Sequence, residues 1–163
     1  MNRTIKFRGK RCGNGEWVYG MLANLKDLDT EVQSTIIIKK EGIFNNGSAS
    51  PFFMEWDYVD KDTVGQFTGF IDIMGQDIYE GDIISKCVYN GKKRNKDGTV
   101  SSDFQRRGVG VVRFNLERGR WVINNFNGIV NPIVNKKELA ITRLKIMGNI
   151  YETIQVIENR QYK

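Results

Sequence analysis

The chain contains no histidine, only two cysteines and only two prolines among its 163 residues. The missing histidine removes both the commonest general base and the commonest zinc ligand. Ser-His-Asp and Cys-His nucleophile arrangements therefore cannot be assembled from this chain. Cys12 and Cys87 lie far apart and neither sits in a CxxC pair, so two free thiols in a reducing compartment are expected. No run approaches the ~20 apolar residues that a membrane-spanning helix needs. The opening MNRTIKFRGK carries charge where a signal peptide has its apolar stretch. These absences point to a cytoplasmic protein. Neither a P-loop nor a GxGxxG is present, and no cofactor or metal is expected.

What is present is turn chemistry and short apolar runs. A chain of this length is expected to form one domain or two small ones, at ~100–200 residues per domain. Thr4 to Arg11 alternates around Ile5 and Phe7, which predicts a half-exposed strand. Gly13-Asn14-Gly15 marks a turn, and Glu16 to Leu22 is expected to pair back as a hairpin, with Gly20 at a bulge or close backbone approach. Ile36-Ile37-Ile38 reads as a buried strand. Phe52, Phe53, Trp56 and Tyr58 crowd into seven positions. Large apolar side chains are usually buried, so the core is their expected place; an exposed protein-contact site is the alternative.

Residues 65–84 read as connecting turns and short strands. Asn90-Gly91 is the strongest hairpin dipeptide, and a polar, basic loop is expected over 90–107. Val109 to Phe114, a turn at Asn115 to Gly119, and Trp121 to Asn124 predict a second hairpin, with Trp121 in the core. Asn135 to Leu139 suits a short helical turn. From Thr142 to Ile146 the alternation is clean, with Arg143 and Lys145 on the outer parity. The expected fold is mainly β, or β-rich α+β. An N-terminal hairpin region, 1–64, joins through 65–84 to a small SH3-like barrel over 85–157, and 158–163 is a frayed tail.

The charge is uneven. Ten basic residues and three acids lie between Ser85 and Arg120, about +7, against +6 for the whole chain. Such a segment suits phosphate neutralisation. Lys92, Lys93, Arg94, Arg106, Arg107 and Arg118 are the candidate nucleic-acid contacts, with Phe104 or Trp121 available for stacking on bases. Asp72, Asp77, Glu80 and Asp82 invite a catalytic or metal role, but carboxylates beside glycines in turns ordinarily accept backbone N–H groups. No catalytic constellation accompanies them, so an enzyme is not expected.

Five fragments stand in order along the chain: Arg3-Thr4-Ile5-Lys6-Phe7-Arg8; Gly65-Gln66-Phe67-Thr68-Gly69 with Asp72 and Gly75; Asp77-Ile78-Tyr79-Glu80-Gly81-Asp82-Ile83-Ile84; Gly110-Val111-Val112-Arg113-Phe114; and Ile146-Met147-Gly148-Asn149-Ile150-Tyr151-Glu152. Together they resemble the YopX-like family of phage and prophage proteins, over most of the chain. The resemblance implies a β-rich protein acting in a bacterial host cytoplasm, without assigned catalytic residues. Residues and resemblance together predict a non-enzymatic accessory protein that binds a protein partner or itself, with Phe52, Phe53, Trp56 and Tyr58 as the interface. The alternative is DNA or RNA binding through the basic segment 85–120.

Overall fold

The computed structural model describes residues 4–26, 33–43, 52–126, 130–133 and 142–152. The fold is mainly β, and the chain divides into an N-terminal unit, Met1–Phe67, and a C-terminal unit, Thr68–Lys163. No helix among the described residues is long and apolar enough to cross a membrane. The helical turn expected at Asn135 to Leu139, and the tail 158–163, lie outside the described residues.

In the N-terminal unit the strands are β1 (Phe7–Lys10), β2 (Trp17–Lys26), β3 (Gln33–Ile43), β4 (Phe52–Tyr58) and the start of β5 (Gly65–Ile71). All neighbours pair antiparallel in the order β4-β3-β2-β1-β5. The β1–β2 hairpin forms as expected. Its turn is tied by Gly15 N–H to Arg11 O and Arg11 N–H to Glu16 O, both 2.9 Å. Asn14 contributes by accepting the Glu16 N–H at 3.1 Å. Alternation on these strands sends Val18, Ile37 and Val59 into a small core, with Leu22 and Val64 packed against it. Gly20 is where the close approach occurs: a Cβ there would stand 2.0 Å from the carbonyl oxygen of Ile38. Only glycine lets β2 and β3 meet at their observed spacing.

The C-terminal unit contains the end of β5, then β6 (Asp77–Tyr79), β7 (Asp82–Arg94), β8 (Val100–Asn115), β9 (Arg120–Asn125), β10 (Val130–Pro132) and β11 (Thr142–Asn149). The last five form an antiparallel sheet in the order β10-β9-β8-β7-β11. That order is open: β10 and β11 are its edges, and no closed barrel forms among the described strands. The expected SH3-like closure is therefore not what the pairing gives. Period-two burial along β7 places Ile84 on the same face as Val112, Trp121, Ile123 and Leu144. With Ile78 and Ile133 these make the main core, and Phe70 and Ile146 pack against it. Each fully buried isoleucine contributes about 2 kcal/mol by removal from water. Trp121 is core, as expected, and meets Phe114 edge-on with ring centroids 5.0 Å apart.

The segment expected as a basic loop, 90–107, is instead the outer part of a long β-ribbon made by β7 and β8. Asn90-Gly91 is not its turn. Pairing runs Tyr89↔Phe104 and then Gly91↔Asp103, which leaves Asn90 as an extra, bulged residue. The chain reverses at Asn95 to Gly98, where Gly98 has φ +85° and its N–H bonds Asn95 O at 3.1 Å. Asn-Gly favours the positive φ that both tight turns and bulges use, so the dipeptide alone does not decide between them. Side chains decide here. Thr99 is held by Asp97 through its N–H at 2.9 Å and its hydroxyl at 2.6 Å, and by Asn95 Nδ2 at 2.9 Å.

Candidate functional site

Among the described strands the ribbon runs past the pairing of its own sheet. Among the described strands, β11 pairs with β7 only up to Val88, and β9 pairs with β8 only from Gly110 onward. Between these limits and the turn, the two strands pair only with each other. Lys92, Lys93 and Arg94 stand exposed on one strand, opposite Ser102, Ser101 and Val100. Short neutral partners across the ladder leave those three charges without an acid facing them. The two acids of the ribbon are engaged locally. Asp103 accepts from Asn90 Nδ2 at 3.2 Å. Asp97 sits in the turn, where the Thr99 hydroxyl and then the Thr99 N–H hold its carboxyl below the ordinary range.

The root of the ribbon is braced. Phe104 stacks at 5.5 Å on Tyr89 and lies beneath the guanidinium of Arg143, 3.9 Å from the ring centroid. Phe104 is thus occupied by its own neighbours, and Trp121 is buried; neither is presented for stacking on bases. Arg106 and Arg107 are exposed at this root. Pairing passes from Lys86↔Gly108 to Cys87↔Arg106, so Arg107 is the extra residue of a bulge on β8. The bulges at Arg107 and Asn90 lie on opposite strands and offset one another in register. Arg118 does not join this group. It occupies the turn after β8, at the far end of a 16-residue strand, ~50 Å along the strand from the Val100 end that faces Arg94 and ~30 Å from Arg106 at ~3.3 Å per residue.

Beside the Arg107 bulge the core face of the sheet opens into a cavity of about 260 Å³, lined by Lys86, Arg107, Gly108, Ile123, Asn125, Asn131 and Pro132. Lys86 shares the inward parity of Ile84 and Val88 and is 6% exposed. Its ammonium donates to the carbonyl of Pro132 at 3.3 Å. Gly108 and Asn125 fit closely: a Cβ on Gly108 would lie 2.9 Å from Asn125 Nδ2 and 3.0 Å from its Oδ1. Sequence reading counted Lys86 only as part of the basic segment and passed over Asn125 and Asn131. Their signal is weak, since lysine on an apolar parity and asparagine near a strand end have many ordinary explanations.

The profile of the YopX protein family matches residues 6–158. This chain belongs to the YopX family. Neither the search of curated proteins nor that of solved structures gives a match. The motif residues that carried the YopX resemblance have structural work in this chain. Asp72 Oδ1 accepts the N–H groups of Met74 at 2.7 Å and Gln76 at 3.0 Å, and Oδ2 accepts that of Ile146 at 3.3 Å. Burial pushes the Asp72 carboxyl up, but those three N–H groups and Lys145 outweigh it and hold it below the ordinary value. Asp82, 1% exposed, accepts the Tyr79 N–H at 2.8 Å. Among the described residues no group of three or more acids and thiols stands together as a metal site.

The aromatic cluster of β4 is not core where its side chains are described. Trp56 is 45% and Tyr58 54% exposed; Phe52 and Phe53 pair with Ile43 and Gly42 along the backbone, and their side chains lie outside the description. Register places Met21, Ile38 and Trp56 in one row across β2, β3 and β4, and Ala23, Ile36 and Tyr58 in the next. Directly opposed residues share a face. Met21 and Tyr19, of the same parity, are also half exposed, so this face is apolar and aromatic across β2, β3 and β4, with Ile36 buried in it, while β1 adds Arg8 and Lys10 opposite Tyr19 and Trp17. The opposite face carries an ionic chain: Arg11 bridges Glu16 and Asp57, and Lys39 bridges Asp57 and Glu55, at 2.6–3.1 Å. Both Cys12 and Cys87 are free thiols.

Proposed function

We propose that this protein is a non-enzymatic nucleic-acid-binding module whose contact element is the β7–β8 ribbon. The observation that supports this best is the outer half of that ribbon, unpaired with any further strand among the described residues, with Lys92, Lys93 and Arg94 exposed opposite neutral residues and Arg106 and Arg107 at its root. Two paired strands are ~4.8 Å apart, and the major groove of duplex DNA, ~12 Å wide, admits a two-stranded β-ribbon. Cations on alternating faces of such an arm meet phosphates on both sides of the groove. The phage or prophage setting, and the host cytoplasm that it brings, belong to the same proposal. Fluorescence anisotropy with a labelled duplex at low salt tests it. Binding should fall at least tenfold when Lys92, Lys93 and Arg94 together become Ala. Equal affinity of this variant and the wild type, or no binding of either, would sink it.

The row Met21–Ile38–Trp56, exposed at Met21 and Trp56, with Tyr19 and Tyr58 beside it, supports a second role: contact with a protein partner or a second copy of this chain through the N-terminal sheet. Aromatic residues and methionine are enriched at such surfaces. Light scattering of the wild type and of Trp56→Ala/Tyr58→Ala tests self-association. A wild type that stays monomeric at the highest soluble concentration removes the self-pairing form of the idea.

A further inference from the structure

We infer that the cavity beneath the Arg107 bulge is a binding site for a single nucleoside monophosphate unit, separate from the outer ribbon. Its lining offers two kinds of group at once. Lys86 and Arg107 are cationic donors suited to phosphate oxygens, Arg107 from the exposed rim and Lys86 from the buried wall. Asn125 Oδ1 is buried and has no hydrogen-bond partner among the described residues. A buried carbonyl left in that condition carries an uncompensated desolvation penalty. A ligand seated beside the carboxamide, once the carboxamide turns to present Oδ1 to an N–H or O–H, offsets that penalty. An inorganic anion satisfies the cations but has little to give the carboxamide. A nucleotide satisfies both, since a carboxamide pairs well with the donor and acceptor edge of a base.

Size agrees with this assignment. The cavity of about 260 Å³ lies just below the ~300–1,000 Å³ of sites for drug-sized ligands, so it suits one compact unit rather than a dinucleotide. Ile123, 1% exposed, lines it as well and supplies an apolar surface for a base or sugar. The absent side chain at Gly108 is part of the design, because the Asn125 carboxamide occupies the space that a Cβ would need. Such a unit reaches the cavity from two sources, a free 5′-mononucleotide or the 5′-phosphorylated end of a strand, and both present the same chemistry.

Calorimetry decides. The titrants are the four ribonucleoside 5′-monophosphates, inorganic phosphate, and a short single strand with and without its 5′-phosphate. At least one mononucleotide, or the phosphorylated strand but not its unphosphorylated counterpart, should bind tenfold or more tightly than phosphate. Asn125→Ala and Arg107→Ala should each weaken that binding about tenfold. Gly108→Ala, which displaces only a side-chain end, should weaken it with little change in melting temperature. Heat from mononucleotides assigns the free source, and heat from the phosphorylated strand alone assigns the strand end. No binding by any titrant, phosphate binding as tightly as every nucleotide, or full affinity in Asn125→Ala would overturn the inference. The outer ribbon is tested separately, by duplex affinity in the Lys92/Lys93/Arg94 variant, so either idea can fail while the other stands.

Discussion

The guanidinium of Arg143 lies 3.9 Å from the ring centroid of Phe104 and clamps the root of the β7–β8 ribbon to β11. Register puts Arg143, Cys87 and Arg106 in one row across β11, β7 and β8, so the clamp also aligns the root cations. A two-stranded ribbon is marginal by itself, and its order depends on how its root is held. Phe104→Ala removes both the ring under Arg143 and the partner of Tyr89. Stability should drop by about 1–2 kcal/mol. Hydrogen exchange should rise across 89–106 more than in β9. Uniform protection across the ribbon in this variant would show that the clamp is ornamental.

Salt dependence gives a second measure of the ribbon. Lys92, Lys93, Arg94, Arg106 and Arg107 are exposed. If all five neutralise phosphates of a duplex, log K against log salt should slope at roughly −4 to −5, at ~0.9 per contact. Replacing Lys92, Lys93 and Arg94 by Ala should flatten the slope by about 3. Arg118→Ala, at the other end of β8, should leave it unchanged. An equal loss from Arg118→Ala would mean that charge in general, not the ribbon, carries binding.

Asp72 ties the turn after β5 to β11, because its carboxylate accepts from both Gln76 and Ile146. Its carboxyl is held below the ordinary value by those N–H groups despite burial. A depressed folded pKa means that the unfolded chain takes up the proton first. The stabilisation is therefore complete above the ordinary carboxylate value of ~3.9 and is lost as pH falls through the lower folded value. Asp72→Asn should cost about 2 kcal/mol at pH 7, and the gap to the wild type should narrow below pH ~4 in urea titrations. A gap constant down to the acid limit would contradict the carboxylate's role.

Gly20→Ala is the sharpest packing test. The added methyl would meet the Ile38 carbonyl oxygen at 2.0 Å, and a backbone atom in a ladder cannot step aside. β2 and β3 must separate locally, at a cost of about 3 kcal/mol or more. Thermal unfolding should show it. Asp82→Ala removes the acceptor of a buried N–H, so its cost should approach 2 kcal/mol rather than the ~1 kcal/mol of a surface cap.

Strand content and the short hairpins were legible in the sequence because their cause is local. Gly13-Asn14-Gly15 needs no distant partner to turn. The parity of Leu144 and Ile146 against Arg143 and Lys145 shows in the order of residues alone. The charge concentration between Ser85 and Arg120 was equally plain. Its shape was not. Asn90-Gly91 looks like a turn until the Asn95 to Thr99 hydrogen bonds compete with it, and a polar run looks like a loop when its strands pair only with each other. Trp56 and Tyr58 were expected in the core from their size, but which face of a strand is covered depends on what packs there.

Residue order by itself determined a mainly β protein resembling the YopX family, with its positive charge in one segment, because period-two alternation and turn residues act over a few positions. Tertiary structure decided where that charge stands. The Arg107 bulge, the inward parity of Lys86 and the Gly108–Asn125 contact exist only when β7, β8 and β9 are in register. A lysine is read as surface charge in a sequence; its burial beside a carboxamide and an arginine is a property of the assembled sheet.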